Sequence, residues 1–118
     1  MKVLVADDDP TVAEATKWFI RSMGHEAETV DDGHHVIRLL ESGKTYDLII
    51  TDYSMPVMDG ESVLRSIRAD TRWRDLPVIV HTGNDVREPI EKLGGMYVLK
   101  GDFPALSKAV ESIQGFRS

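Results

Sequence analysis

The chain alternates short, unbroken apolar runs with helix-period patterns, five times over, and few folds accept that alternation. Val3-Leu4-Val5-Ala6 is a β-rich run ending in acid, and a weaker strand pattern lies near Glu26 to Val30. Leu48-Ile49-Ile50-Thr51 ends at Asp52, Leu76-Pro77-Val78-Ile79-Val80 ends near Thr82-Gly83, and Met96-Tyr97-Val98-Leu99 ends at Lys100. Between them come helical patterns. Asp9-Pro10 combines a capping carboxylate with a proline suited to a first helical position. Val12, Ala15, Thr16, Phe19 and Met23 then follow at helical spacing, up to Gly24. Asp32-Gly33 opens a second helix on Val36, Ile37, Leu39 and Leu40, and Asp59-Gly60 a third on Val63, Leu64 and Ile67. Pro89 confines the fourth to about Pro89–Leu93, since proline is tolerated only in a first turn. Pro104 opens the last, with Leu106, Ala109, Val110 and Ile113 facing inward.

Strands that read as continuous apolar runs are covered on both faces. Alternation with helices therefore predicts a parallel sheet with helices on both sides, an α/β sandwich. In such sheets ligands bind beyond the carboxyl ends of the strands. The 118 residues, 42% of them apolar, suffice for one core and leave little room for a second, so one domain over 1–118 is expected. A formal charge of −6 argues against a general nucleic-acid binder. Without cysteine there is no disulfide, thiol chemistry or Cys-based metal site. The first apolar run meets acid at Asp7, too soon for a signal peptide or a membrane span. A soluble cytoplasmic protein without membrane insertion is expected.

The strand ends carry Asp7 and Asp8, Asp52, Thr82 and Lys100. Asp9 reads more simply as a helix cap. Three carboxylates converging on one crevice repel one another and need raised pKa values or a cation. A hard divalent ion with oxygen ligands answers that need, and Mg²⁺ favours a few carboxylates plus water and phosphate oxygens. Lys100, one residue past an apolar strand, adds a second positive charge.

Four blocks, Val5-Ala6-Asp7-Asp8-Asp9-Pro10, Asp52-Tyr53-Ser54-Met55-Pro56-Val57-Met58-Asp59-Gly60, Pro77-Val78-Ile79-Val80-His81-Thr82-Gly83 and Tyr97-Val98-Leu99-Lys100, resemble in order the response-regulator receiver domains of two-component signalling. The resemblance implies a flavodoxin-like, doubly wound (βα)5 fold with strand order 2-1-3-4-5, two helices on one face and three on the other. It implies that Asp52 accepts a phosphoryl group, that Asp7 and Asp8 hold Mg²⁺ with Asp52 and the backbone carbonyl of Ser54, and that Thr82 and Lys100 contact the phosphoryl group. It makes Tyr97 the aromatic that swings inward when Thr82 moves. Ser54 and Asn84 fall where the family tunes acyl-phosphate lifetime. The implied partners are a sensor histidine kinase or histidine phosphotransfer protein and a downstream protein target, without direct nucleic-acid binding. The implied role is a switch that catalyses only its own phosphotransfer and dephosphorylation. The final helix is followed by no recognisable output segment, which suits a stand-alone regulator or a receiver taken from a longer protein.

The sequence departs from the family at Gly101, where most receivers have proline after the lysine, often behind a cis bond. A cis bond before a non-proline residue costs about 2.5–4 kcal/mol, so a trans bond is expected. The stretch from Thr82 to Lys100 is short, which shortens the fourth helix and puts the usual output face in question. His34 and His35, adjacent at a helix start, point apart and do not make a metal pair. His81 reads as a non-catalytic residue at a solvent edge. Trp18 falls between the apolar positions of its helix and should be exposed; Trp73, between Arg72 and Arg74, should anchor a loop. Two other readings remain. Asp7-Asp8-Asp9-Pro10-Thr11 also fits Asp-x-Asp-x-Thr of haloacid-dehalogenase-like phosphatases, with Asp7 as nucleophile and Asp9 as acid/base, though this leaves Asp52 and its block unexplained. A pseudo-receiver that binds partners without phosphorylation is the other, and Gly101 keeps it open.

Overall fold

The structure, a computed structural model, describes the backbone of residues 1–117 and the side chains of residues 1–115. Its elements follow in strict alternation: β1 (Lys2–Ala6), α1 (Pro10–Ser22), β2 (Glu26–Val30), α2 (Gly33–Glu41), β3 (Leu48–Thr51), α3 (Gly60–Ala69), β4 (Val78–Thr82), α4 (Arg87–Lys92), β5 (Met96–Leu99) and α5 (Phe103–Arg117). The strands form one parallel sheet in the order β2-β1-β3-β4-β5, as the resemblance implied.

Alternating side chains of the buried strands feed two cores. Val3, Val5, Leu48, Ile50, Ile79 and Val98 meet α1 and α5 on one face. Leu4, Ala6, Ile49, Val78 and Val80 meet α2, α3 and α4 on the other. Every residue of β3 and β4 is buried, which is why both strands read as unbroken runs. Aspartates start four of the helices. Asp9, Asp32 and Asp59 accept backbone N–H bonds from the first turns of α1, α2 and α3, and Asp102 accepts from Ala105 at the head of α5. Each cap contributes about 1 kcal/mol.

Three details differ from the sequence expectation. The inner face of α1 is Ala13, Thr16 and Ile20, and Ala15 is exposed. β4 begins two residues later than its apolar run and continues to Thr82. Pro77 is thereby left outside the strand, its carbonyl accepting from Ile49 while it lacks an N–H to give. α4 starts at Arg87 and has six residues; Pro89 lies in its first turn, and Val86 caps it without a side-chain bond. Its end is held from α3 by Arg68, which donates to the carbonyls of Leu76 at 2.7 Å and Gly94 at 2.8 Å. No described helix is long and apolar enough to cross a membrane.

Two glycines seat the loop after β3 against the helices. A Cβ on Gly60 would stand 2.3 Å from the Asp52 carbonyl oxygen and 2.9 Å from Tyr53 Cα. One on Gly33 would stand 2.4 Å from the Met58 carbonyl oxygen. In each case backbone would have to move. Gly60→Ala is therefore expected to lower the unfolding free energy by about 1–3 kcal/mol through overpacking, although alanine is the better helix former by roughly 1 kcal/mol. Urea unfolding checks this, and an unchanged midpoint would show that the loop can back away from α3.

Candidate functional site

The chain leaves β1 toward β2 on one side of the sheet and enters β3 on the other, so a crevice opens between the carboxyl ends of these neighbouring strands. Asp7 follows β1 and Asp52 follows β3. Their backbones are tied across the sheet: Asp52 N–H donates to the Ala6 carbonyl at 2.9 Å and Asp7 N–H to that of Val30 at 3.1 Å. Both side chains are buried, whereas Asp8 is exposed. One carboxylate oxygen from each of Asp7, Asp8 and Asp52 lies within 4.8 Å of the others.

Lys100 spans the sheet from the end of β5 to reach this group. Its Nζ donates to Asp52 Oδ2 at 2.8 Å and lies 3.2 Å from Asp7 Oδ2. The other Asp52 oxygen, Oδ1, accepts the Tyr53 N–H at 2.7 Å, so both ends of that carboxylate are fixed. Burial raises the Asp7 pKa, outweighing the Asp9 N–H that it accepts and the nearby Lys100. Burial alone would lower Lys100, but the hydrogen bond and charge of Asp52, then those of Asp7, carry its pKa upward. The trans Lys100–Gly101 bond is as expected, since the structure holds no cis peptide among the described residues, and the lysine reaches the crevice without the usual proline.

The donor set suits Mg²⁺. It consists of hard oxygens only, and three carboxylates against one ammonium leave two negative charges for a dication. Ligands across an Mg²⁺ ion lie roughly 4 Å apart, so small rotations, easiest for exposed Asp8, close the array. Ser54 lines the same rim together with Asp8, Tyr53 and Met55. Val57 in this loop has φ 69° and is 84% exposed; the Met58 N–H meets the Pro56 carbonyl across it at 2.7 Å in a tight γ-turn.

Thr82 ends β4, fully buried, and its hydroxyl donates to Asn84 Oδ1 at 2.9 Å. Ser54 Oγ donates to the same oxygen at 3.4 Å. Asn84 thus links the loops after β3 and β4, a connection that spacing along the chain did not reveal. Tyr97 is half-buried in β5, with the Arg87 guanidinium 4.6 Å above its ring.

Asp9 is spent on capping α1 through Thr11 and Val12, which leaves the phosphatase reading without an acid/base in the crevice. His34 and His35 are both exposed. Trp18 is exposed, as expected, between Lys17 and Arg21, which stack on it. Trp73 packs its half-buried ring on the α2–α3 core under Arg72, consistent with a loop anchor. His81 corrects the solvent-edge reading. It is 3% exposed, its Nε2 accepts the Gly101 N–H at 3.2 Å, and burial lowers its pKa to about 4. The clue lay in its place: a residue two after Ile79 in a strand covered on both faces points into the same core as Ile79.

A family model for the response regulator receiver domain matches residues 3–109. The chemotaxis protein CheY of Pseudomonas aeruginosa is 37% identical over 91 residues, covering 76% of this chain and 73% of its own length. Among solved structures, the Francisella response regulator 1452 receiver domain superposes with a TM-score of 0.87 at 30% identity, covering 99% of this chain and 98% of that one. The receiver domain of a sensor histidine kinase from Pseudomonas aeruginosa, described with a magnesium ion coordinated in its active-site cleft, gives a TM-score of 0.85 at 30% identity over 97% of each chain.

The charge balance predicts an order of stabilities. Without metal, Lys100→Met removes the ammonium that, among the described residues, pairs with Asp7 and Asp52, and is expected to cost about 1–3 kcal/mol. That lies below the 3–5 kcal/mol for breaking a fully buried pair, because Lys100 is partly solvated. Asp7→Asn in the same background restores part of the loss. Urea melts in EDTA read both, and additive losses in the double variant would refute the coupling.

Proposed function

Because this chain belongs to the response regulator receiver domain family, whose members are phosphorylation-dependent signalling switches and not metabolic enzymes, we propose that Asp52 is its phospho-acceptor and that Lys100 and Thr82 attend the phosphoryl group. The receiver unit is proposed to fill residues 1–118. The observation that supports the reading most is the ammonium of Lys100 set between Asp52 and Asp7 at the point where the sheet's winding reverses. Asp7, Asp8 and Asp52, with the Ser54 carbonyl, would hold Mg²⁺, which when bound supplies positive charge against the phosphoryl oxygens. The magnesium reported in the Pseudomonas aeruginosa sensor-kinase receiver supports that assignment.

Receiver domains take their phosphoryl group from histidine kinases or phosphotransfer proteins, and the proposed donor here is such a partner's phosphohistidine. An Asp52 carboxylate oxygen attacks phosphorus, and the P–N bond breaks. Its electron pair leaves on the imidazole, which takes up a proton, and an acyl phosphate forms. The Lys100 ammonium, a compact charge on a flexible stem, follows the group as it arrives. Hydrolysis later breaks the P–O bond to Asp52 as water attacks phosphorus, releasing inorganic phosphate.

The switch begins with the Thr82 hydroxyl, which is given to Asn84 Oδ1 before phosphorylation. A phosphoryl oxygen is the stronger acceptor. Neutral hydrogen bonds contribute about 0.5–1.5 kcal/mol and charged ones about 1.5–3, so the exchange favours the switched state by roughly 1 kcal/mol. That shifts a population about fivefold and no further unless other contacts add to it. Tyr97 supplies one, moving deeper as the loop after β4 is drawn in and Arg87 slides off its ring. The output is a changed surface around α4, β5 and α5, read by a protein target.

With acetyl phosphate and Mg²⁺, the wild type is expected to gain one phosphoryl group by intact-mass measurement and Asp52→Asn none. Lys100→Ala is expected to react on the order of 10²-fold more slowly, and EDTA to abolish labelling. An unmodified wild type, or label retained in Asp52→Asn but lost in Asp7→Asn with turnover of phosphate esters, would overturn the assignment. Asn84→Ala, which releases Thr82 and opens the rim toward Ser54, is expected to change the acyl-phosphate lifetime severalfold, followed by loss of the phosphorylated mass over time. Unchanged lifetimes in both Asn84→Ala and Ser54→Ala would remove their tuning role.

A further inference from the structure

We propose that His81 is a positioning residue for Lys100, its imidazole holding the Gly101 N–H so that the turn after β5 aims the lysine into the crevice. The proposal rests on the role given to Lys100 above and adds what keeps that side chain in place.

Lys100 and Gly101 are the central residues of a turn closed by the Asp102 N–H on the Leu99 carbonyl at 3.0 Å. Gly101 has φ +88° behind a trans bond, the backbone of a type II turn with glycine at its third position. The peptide between the two central residues is the plane that flips between type II and type I turns. Here its own N–H and that of the peptide before it are both tied to β4. The Lys100 N–H donates to the Thr82 carbonyl at 2.9 Å, and the Gly101 N–H donates to His81 Nε2 at 3.2 Å. Consecutive residues of β4 therefore hold consecutive amides of the turn.

The ring that accepts is itself held. It is buried, with the Phe103 ring edge-on at 6.1 Å, and Phe103 packs on Phe19 at 4.9 Å. An accepting Nε2 requires a neutral ring with its proton on Nδ1; burial, by lowering the pKa, keeps the ring neutral at neutral pH. His81 and Gly101 form a matched pair. A proline at 101 would have no N–H to satisfy, whereas an aliphatic residue at 81 would leave the glycine N–H without this acceptor. Release of that amide loosens the turn that carries the Lys100 Cα, and with it the aim of the side chain. Displacements near 1 Å at a reacting group cost up to about 10²-fold in rate.

The test measures Asp52 phosphorylation by phosphoramidate with Mg²⁺ in the full chain. His81→Leu fills the ring's space without an acceptor, and His81→Gln keeps one near the position of Nε2. His81→Leu is expected to slow the reaction about tenfold when Lys100 is present and to add less than about twofold in a Lys100→Ala background. His81→Gln should recover most of the rate. A rate in His81→Leu within about twofold of wild type, or equal slowing in both backgrounds, overturns the proposal. Should His81→Leu fail to fold, the ¹⁵N shifts of the His81 ring in the wild type decide: an unprotonated Nε2 with a protonated Nδ1 supports the proposal, and the reverse tautomer overturns it. Failure of the underlying phospho-acceptor reading would appear separately, as an unlabelled wild type or a labelled Asp52→Asn.

Discussion

The contact that everything else serves is the one between the Lys100 ammonium and the carboxylates of Asp52 and Asp7. Its partners come from the ends of β5, β3 and β1, far apart in the chain; parallel pairing brings those ends to one side, and the order 2-1-3-4-5 makes β1 and β3 neighbours with β4 alone between β3 and β5. Two buried carboxylates without it would face a desolvation cost of several kcal/mol each. The fold therefore stores an anionic site that one internal cation makes tolerable and that retains an appetite for a second, external one.

Much of this was legible in the sequence because each feature has its own local physical cause. β3 reads as Leu48-Ile49-Ile50-Thr51 and is that strand, since burial on both faces leaves no room for polar alternation. Asp32 and Asp59 mark helix starts because a carboxylate there satisfies first-turn N–H groups. Less legible was the phase of α1, where Ala13 and Ala15 are chemically alike and only packing chooses Ala13. His81 was misread because a polar residue at the end of an apolar run looks like the run's exit into solvent. In fact β4 continues past it, and a buried acceptor is what the glycine N–H needs. The bridge from Thr82 through Asn84 to Ser54 joins two loops whose approach depends on strand register, which no local pattern encodes.

The site also divides into parts that are set and parts that can change. Asp52 has both oxygens engaged, and Gly60 presses α3 against its backbone. Thr82 and Asn84 are joined by two hydrogen bonds, and Arg87 and Tyr97 by a stacked cation, each contact worth about a kilocalorie. A change of charge at Asp52 therefore leaves its own platform in place and is felt first across these weaker links.

The Arg68 strap gives that response a direction. Arg68 pins the carboxyl end of α4 to the body through Gly94 and Leu76, while the opposite end has no side-chain cap and is held by Val86 on the α2–α3 core and by Arg87 over the Tyr97 ring. So short a helix is held by charged hydrogen bonds at one end and by apolar and stacked contacts at the other, with Ile90 buried between them. A pull exerted beside Thr82 would act first on the uncapped end and fade toward the strap. A partner that senses the phosphorylated form by touch would feel it most at Asp85–Arg87 and least at Lys92–Gly94.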